Sequence, residues 1–200
     1  MTALDVRLSP FEFPMDINAL IQTSQNGSRE SFNQLVLSFQ DQVYTHAYYL
    51  LGERELAEDI SQEVFIRAYL KLGGFRGGSF RAWLLRITSN ACYDELRKRK
   101  RLWQIAAADL PERASDRDDP LESYAQPGPS VEERVEQRDL YASALARLAE
   151  LPREYRAAAI LVDVLGCDYA EAAASLGVPE GTIKSRLARA RKGIREKLLI

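Results

Sequence analysis

The chain has one histidine and two cysteines among its 200 residues, and each scarcity removes a class of chemistry. Cys92 and Cys167 lie inside helical patterns with no metal-ligand partner nearby, so they read as buried thiols of a reducing compartment. His46, on a helix beside Tyr44 and Tyr48, reads as structural. No phosphate-cradling loop ending in Gly-Lys-Ser/Thr, no nucleophile elbow and no His–Glu–His metal helix is present. The expectation is a protein with no catalytic residue, no cofactor and no metal. There is no basic leader before an apolar core and no apolar run approaching bilayer length, so a soluble cytoplasmic protein without membrane insertion is expected. No strand pattern and no repeat emerge either. An excess of positive charge is also missing, since 27 Lys and Arg face 29 Asp and Glu, a net charge of −2.

What is present is charge sorted along the chain. Around Arg86 and Arg97–Arg101 the bases prevail over Asp94 and Glu95. From Gln104 to Asp139 the acids prevail, including Asp109, Glu112, Asp116, Asp118, Asp119 and Glu122. Four of the eight prolines, Pro111, Pro120, Pro127 and Pro129, fall within the same stretch, which reads as a linker. The last helix is basic again. Residues 1–15 are irregular, with Pro10 and Pro14.

Asp163 to Gly193 form the most informative stretch. Asp168 is placed to cap a short helix, with Glu171 three residues on to complete a capping box. Leu176 closes that helix and Gly177 supplies a left-handed stop. Pro179 opens a second helix, in which Ile183, Leu187, Ala190, Ile194 and Leu198 recur at helical spacing as a buried stripe. The opposite face carries Lys184, Arg186, Arg189, Arg191, Lys192, Arg195 and Lys197. A basic amphipathic helix alone is often a solvated face or a surface that pairs with another helix. Behind a capped helix and a glycine turn, it predicts a helix-turn-helix whose second helix enters the major groove of DNA.

Upstream, the spacing predicts a short helix near Asp16–Thr23 and long helices over about 29–51, 53–72 and 79–101. The second long helix exposes Glu55, Glu58, Asp59, Gln62 and Glu63. It ends in Gly73-Gly74-Phe75-Arg76-Gly77-Gly78-Ser79, a loop of unusual backbone freedom. The third sets Phe80 and Trp83 ahead of Arg86, Asn90 and the basic run. Aromatic rings beside a cationic track suit single-stranded nucleic acid, although composition alone favours both rings as core. Helical spacing resumes at Val131 and Val135, and again from Pro152 through Leu165. The predicted fold class is all-α, with two small helical domains joined by a flexible acidic linker. Its expected parts are an extension over 1–24, a first domain over 25–103, a linker over 104–137 and a helix-turn-helix domain over 138–200.

Ala57 to Tyr69, then Phe75 to Asn90, resemble region two of the bacterial extracytoplasmic-function sigma factors of the sigma-70 superfamily. Leu151-Pro152-Arg153-Glu154-Tyr155-Arg156 and Gly177 to Arg191 resemble region four. The resemblance covers about residues 28–101 and 138–198, two motif sets in the family's order. It implies a dissociable specificity subunit of RNA polymerase that recognises the minus-35 and minus-10 promoter elements and melts DNA. It implies that Glu58, Asp59, Gln62 and Glu63 dock on the beta-prime coiled coil of core polymerase, the beta flap being a further contact. The loop Gly73–Ser79 would capture an unpaired minus-10 base, with Phe75, Arg76, Phe80, Trp83, Arg86 and Asn90 near that strand and Lys98, Arg99 and Arg101 on upstream phosphates. Glu180, Lys184, Ser185, Arg186 and Arg189 would face minus-35 bases or backbone, and Thr182, Arg191 and Lys192 would hold phosphates. The acidic linker would thread the polymerase channel, and an anti-sigma factor is an expected partner. The chain departs from the family pattern at Gly78, where an acid is common, and at Thr88-Ser89, where two small apolar residues are common.

A helix-turn-helix regulator with a different upstream domain is the alternative. It calls for a receiver or ligand-binding domain, and residues 28–101 carry neither a strand pattern nor a phosphoacceptor pocket.

Overall fold

The structure is a computed structural model that describes residues 16–108 and 147–198. Among the described residues there is no strand, and the all-α class holds. The expected irregular N-terminus and most of the expected linker, including the spacing at Val131 and Val135, lie outside the described residues.

The chain divides into two compact units, Met1–Ser38 and Phe39–Ile200. In the first, α1 (Ile17–Gln25) starts at Asp16, whose Oδ1 accepts from the N–H groups of Asn18 and Ala19 at 2.9 and 3.2 Å. Such a cap satisfies donors that the helix itself leaves unpaired. Ser28 does the same for α2 (Arg29–Leu51), accepting from Ser31 N at 3.2 Å. Ile21, Ser24, Phe32 and Leu35 are buried.

The second unit holds the rest of α2, then α3 (Arg54–Lys71), a 3-10 turn at Leu72–Gly74, α4 (Phe80–Ala108), α5 (Arg153–Ala159) running into a π-turn at Ile160–Val164, α6 (Tyr169–Leu176) and α7 (Glu180–Leu198). The helices predicted from spacing near 16–23 and over about 29–51, 53–72 and 79–101 are present, as is the one expected to start at Pro152. Of the four glycines in the loop after α3, only Gly77 and Gly78 take positive φ, because Gly73 and Gly74 extend the helix as the 3-10 turn. α4 continues to Ala108, past the Gln104 expected to open the linker. The sequence from Leu102 to Ala108 is rich in strong helix formers and nothing in it stops a helix.

The burial of α4 is not confined to one side. Phe80, Leu84, Ile87 and Ala91, which recur at helical spacing, are buried, and so are Ala82, Leu85, Ser89 and Cys92. Leu85 closes a cluster with Leu161, Cys167, Ala172, Ala173 and Ile183, so α4 is covered by α6 on its second side. A second cluster joins Leu148, Leu151, Ala159, Leu187 and Ala190 beneath α7. Each leucine or isoleucine taken out of water this way contributes on the order of 1.5–3 kcal/mol.

His46 is fully buried, and its Nε2 pairs with Ser89 Oγ at 2.8 Å. Burial lowers its pKa to about 3. Both thiols are buried, which pushes Cys92 up to about 12 and Cys167 up to about 11.

Candidate nucleic-acid interface

The helix-turn-helix is built as its residue chemistry dictates, with one exchange of partners. Asp168 Oδ1 accepts from Glu171 N at 2.7 Å and starts α6. Glu171 does not complete the capping box. Its carboxylate instead accepts from Ser79 Oγ at 2.9 Å and pairs with Arg81 Nη1 at 3.1 Å. A cation from α4 and the hydroxyl just before that helix are stronger partners for a carboxylate than a single backbone N–H. Gly177, at φ 65°, makes the left-handed stop after Leu176. Pro179 directly precedes α7 rather than lying within it, and its carbonyl accepts from Thr182 N and Ile183 N at 2.9 and 3.3 Å.

In α7, Ile183, Leu187 and Ala190 are buried and Ile194 is partly so, which fixes the rotation of the helix. The side chain of Leu198 lies outside the described residues. Glu180, Lys184, Ser185, Arg189, Arg191 and Lys192 are exposed as a result, while Thr182 and Arg186 are half-buried. Several of these cations are already held in place. Arg191 donates to Asp163 through Nε at 3.2 Å and Nη2 at 2.6 Å, which keeps its guanidinium charged. Arg189 donates to Tyr155 Oη at 3.0 Å and stacks over that ring at 5.8 Å. Lys184 sits 5.5 Å above the Tyr169 ring. Ser185 Oγ donates to Thr182 O, and Lys192 lies 3.7 Å from Glu196.

A second group surrounds the start of α4. Phe75, Phe80 and Trp83 form an aromatic cluster with ring centroids 5.3–5.6 Å apart, and Phe39 packs edge-on to Phe80 at 5.4 Å. Phe80 is buried, whereas Phe75 and Trp83 keep part of their surface in solvent. The two readings left open for these rings therefore divide: Phe80 is a core residue that props the other two. Arg76 donates to Gly73 O at 2.6 Å and so folds the glycine loop back on itself. Arg86 and Asn90 are exposed. Farther along, Lys98 pairs with Glu95 at 3.4 Å, Arg99 pairs with Glu53 across to the start of α3, and Arg101 is exposed.

The third group is on α3. Glu58, Asp59, Gln62 and Glu63 are all exposed, Glu58 pairing with Arg54 at 3.2 Å and Glu63 with Arg67 at 2.6 Å. Glu58 and Gln62 also line a shallow groove with Gln40, Asp41, Tyr44 and Ser61.

The geometry is a basic recognition helix, a helix with an aromatic, glycine-rich entrance, and an acidic helix face. The match to known proteins follows the same division, because Sigma-70 region 2 spans residues 35–102 and Sigma-70, region 4 spans residues 141–193. The chain is 34% identical over 191 residues to the ECF RNA polymerase sigma factor SigE of Mycolicibacterium smegmatis, covering 96% of this chain and 70% of the relative. This chain belongs to the extracytoplasmic-function sigma factors. It is also 31% identical over 188 residues to SigW of Bacillus subtilis, covering 92% of this chain and 97% of that one. Among solved structures it is similar to the sigma factor RpoE of Bartonella quintana in complex with the anti-sigma factor NepR, at TM-score 0.65 and 30% identity, over 86% of this chain and 98% of that one. CnrH in complex with the cytosolic domain of CnrY shares the fold, at TM-score 0.66 and 23% identity, over 90% and 95% of the two chains.

Several residues that matter to this sigma factor's architecture were not singled out by sequence reasoning. Arg81, Arg156 and Asp163 carry no signal of their own in a single sequence. Arg156 falls inside a quoted region-four motif, yet nothing in that motif says an arginine there is only 4% exposed. The departures at Thr88-Ser89 do have a structural account. Thr88 Oγ1 donates to Leu84 O at 3.0 Å, and Ser89 meets His46, so each buried hydroxyl is satisfied.

Proposed function

We propose that this RNA polymerase sigma factor binds core polymerase through α3, reads the minus-35 element with α7 and the minus-10 strand with the α3–α4 loop and α4, and melts promoter DNA. The parts that do so are region two over 25–103 and the helix-turn-helix over 138–200, with 104–137 between them and 1–24 ahead of them. The observation that carries this reading is the rotation of α7, whose buried Ile183–Leu187–Ala190 stripe turns an almost wholly cationic face to solvent behind a capped helix and a glycine turn. Lys184, Ser185, Arg186 and Arg189 lie in the N-terminal half of that helix, the part that reaches base edges in this docking mode. Thr182, Arg191 and Lys192 suit phosphates, and Glu180 suits a cytosine amino group.

Phe75 and Trp83 supply partly exposed rings at the entrance of α4, with Arg76, Arg86 and Asn90 beside them. Taking a base out of the stack costs a few kcal/mol, which ring stacking and backbone contacts in such a loop offset. Phe80 supports those rings from beneath, and Lys98, Arg99 and Arg101 continue the track for phosphates. Glu58, Asp59, Gln62 and Glu63 form the proposed docking face for the beta-prime coiled coil, and the beta flap is the proposed partner of region four. The anti-sigma factor bound to the similar RpoE supports a like partner for this chain. The proposed role is that of a cytoplasmic regulator with no catalytic site of its own; no helix of the described residues is long and apolar enough to cross a membrane.

The test separates the surfaces. Arg186→Ala is expected to weaken promoter recognition by about tenfold or more while leaving core affinity unchanged. Asp59→Ala with Gln62→Ala is expected to do the reverse in a titration against core. Equal losses of both activities in both variants would refute the assignment.

A further inference from the structure

The cations of α7 are held in different ways. Lys184 and Arg189 rest on tyrosine rings of α6 and α5, Tyr169 at 5.5 Å and Tyr155 at 5.8 Å, and a neutral ring leaves their charge in place. Arg191 is held by a carboxylate from another element, that of Asp163 in the π-turn after α5. Asp163 Oδ2 accepts from Nε at 3.2 Å and Oδ1 from Nη2 at 2.6 Å, so the carboxylate takes the guanidinium from its side. This uses two of the five N–H donors of an arginine. The end of the guanidinium, with the Nη1 hydrogens and the second Nη2 hydrogen, is left for another acceptor. That edge can grip a phosphate, or the O6 and N7 of a guanine, through two parallel bonds.

The rotation of α7 gives this edge a direction. Ile183, Leu187 and Ala190 are buried, so Ser185, Ala188 and Lys192 form the exposed ridge opposite them. At about 100° per residue, Arg189 and Arg191 diverge by about 160°, one to each side of that ridge. A helix in the major groove, about 12 Å wide, has a phosphate chain on either side. Arginines at the flanks then meet the backbones while the ridge faces the bases. An unheld arginine gives up its rotamer freedom when a phosphate fixes it. A guanidinium already fixed by a carboxylate has given up that freedom before DNA arrives. The opposing effect is repulsion between Asp163 and phosphates. The guanidinium stands between them, and screening over about 8 Å at physiological salt weakens the remainder.

We propose that Asp163 is a positioning residue for promoter reading: without touching DNA, it fixes Arg191 from the side and aims the outer edge of the guanidinium at one backbone of the minus-35 element. This role rests on the assignment of α7 as the minus-35 reader. The direction of its effect is one that charge alone cannot give. Loss of a negative group beside a DNA-binding helix tightens binding to every duplex. Loss of a positioning carboxylate weakens binding where the register is fixed, and spares random sequence, in which a loosened arginine finds phosphates in any register.

The experiment measures the affinity of holoenzyme, assembled from the full-length chain and sigma-free bacterial core, for two probes. One is a random-sequence duplex pool, and the other is the duplex that wild-type holoenzyme enriches from that pool. Asp163→Asn is expected to bind the enriched duplex about threefold or more weakly, and the pool as tightly as wild type or more so. Its urea midpoint is expected to stay unchanged, because the Arg191 and Asp163 side chains are 51% and 37% exposed and such pairs add little stability. Asp163→Ser is a second neutral variant with the same expectations. In an Arg191→Ala background, Asp163→Asn is expected to cost nothing further at the enriched duplex. If Asp163→Asn binds the enriched duplex as tightly as wild type or more tightly, charge outweighs positioning and the proposal is overturned. Equal weakening on both probes with a lowered urea midpoint would overturn it as well, since a purely structural prop behaves that way. So would a loss of full size in the Arg191→Ala background. If wild-type holoenzyme enriches no sequence, the minus-35 assignment of α7 fails and the positioning role falls with it.

Discussion

His46 shows how one buried residue sets a condition on the whole fold. It lies between α2 and α4 with Nε2 on Ser89, and burial holds its pKa near 3, against 6.5 for an unhindered imidazole. The unfolded chain therefore takes up a proton as pH falls through 6.5, while the folded chain stays neutral at this site until about pH 3. The contribution to stability is complete above pH 6.5 and is lost progressively below it. Between pH 7 and pH 5 this one group should cost about 2 kcal/mol of unfolding free energy. Urea unfolding of wild type and His46→Gln across that range checks it, since glutamine keeps a donor for Ser89 but does not titrate. The wild-type curve should fall more steeply, and parallel curves would contradict the assignment. The residue was legible as structural from its single occurrence on a helical pattern, but its partner was not. Ser89 looks like a departure from the family until the fold brings it to His46, across 43 positions of sequence.

At the scale of elements, the helix-turn-helix was the easiest part to read because its signals are local. A cap, a left-handed glycine and the steps of a helical stripe each act between residues no more than four apart, and Asp168, Gly177 and Ile183–Ala190 occupy the places their chemistry calls for. Asp168→Ala should lower stability by about 1 kcal/mol through loss of the 2.7 Å cap to Glu171 N. Gly177→Ala should cost about 1–2 kcal/mol from the left-handed backbone alone. Thermal or urea unfolding measures both, and unchanged stability in either would show that the turn is held by other contacts. What failed locally is informative too. Glu171 has the spacing of a capping box, but the Arg81 guanidinium of α4 and the Ser79 hydroxyl just before it outcompete the backbone N–H for its carboxylate. The second buried side of α4 was only partly legible, since Leu85 is plainly apolar but Ala82 and Ser89 are small or polar and give little sign of burial until α6 and α2 meet them.

At the scale of the molecule, charge segregation and two motif sets were enough to expect an all-α chain of the sigma family. They could not tell how the two sets of helices sit in the free chain, because the contacts that decide it join residues 84 to 106 positions apart. Two arginines with no individual sequence signature, Arg81 and Arg156, make those contacts.

The measurement that bears most directly on this account reconstitutes transcription from purified chain and sigma-free bacterial core polymerase on fragments of the parent genome, and maps the 5′ ends. The account predicts discrete starts that depend on the chain and share two upstream elements about 25 base steps apart. Core that neither binds the chain nor initiates with it, while the chain alone still binds duplex DNA, would contradict it and favour an ordinary helix-turn-helix regulator.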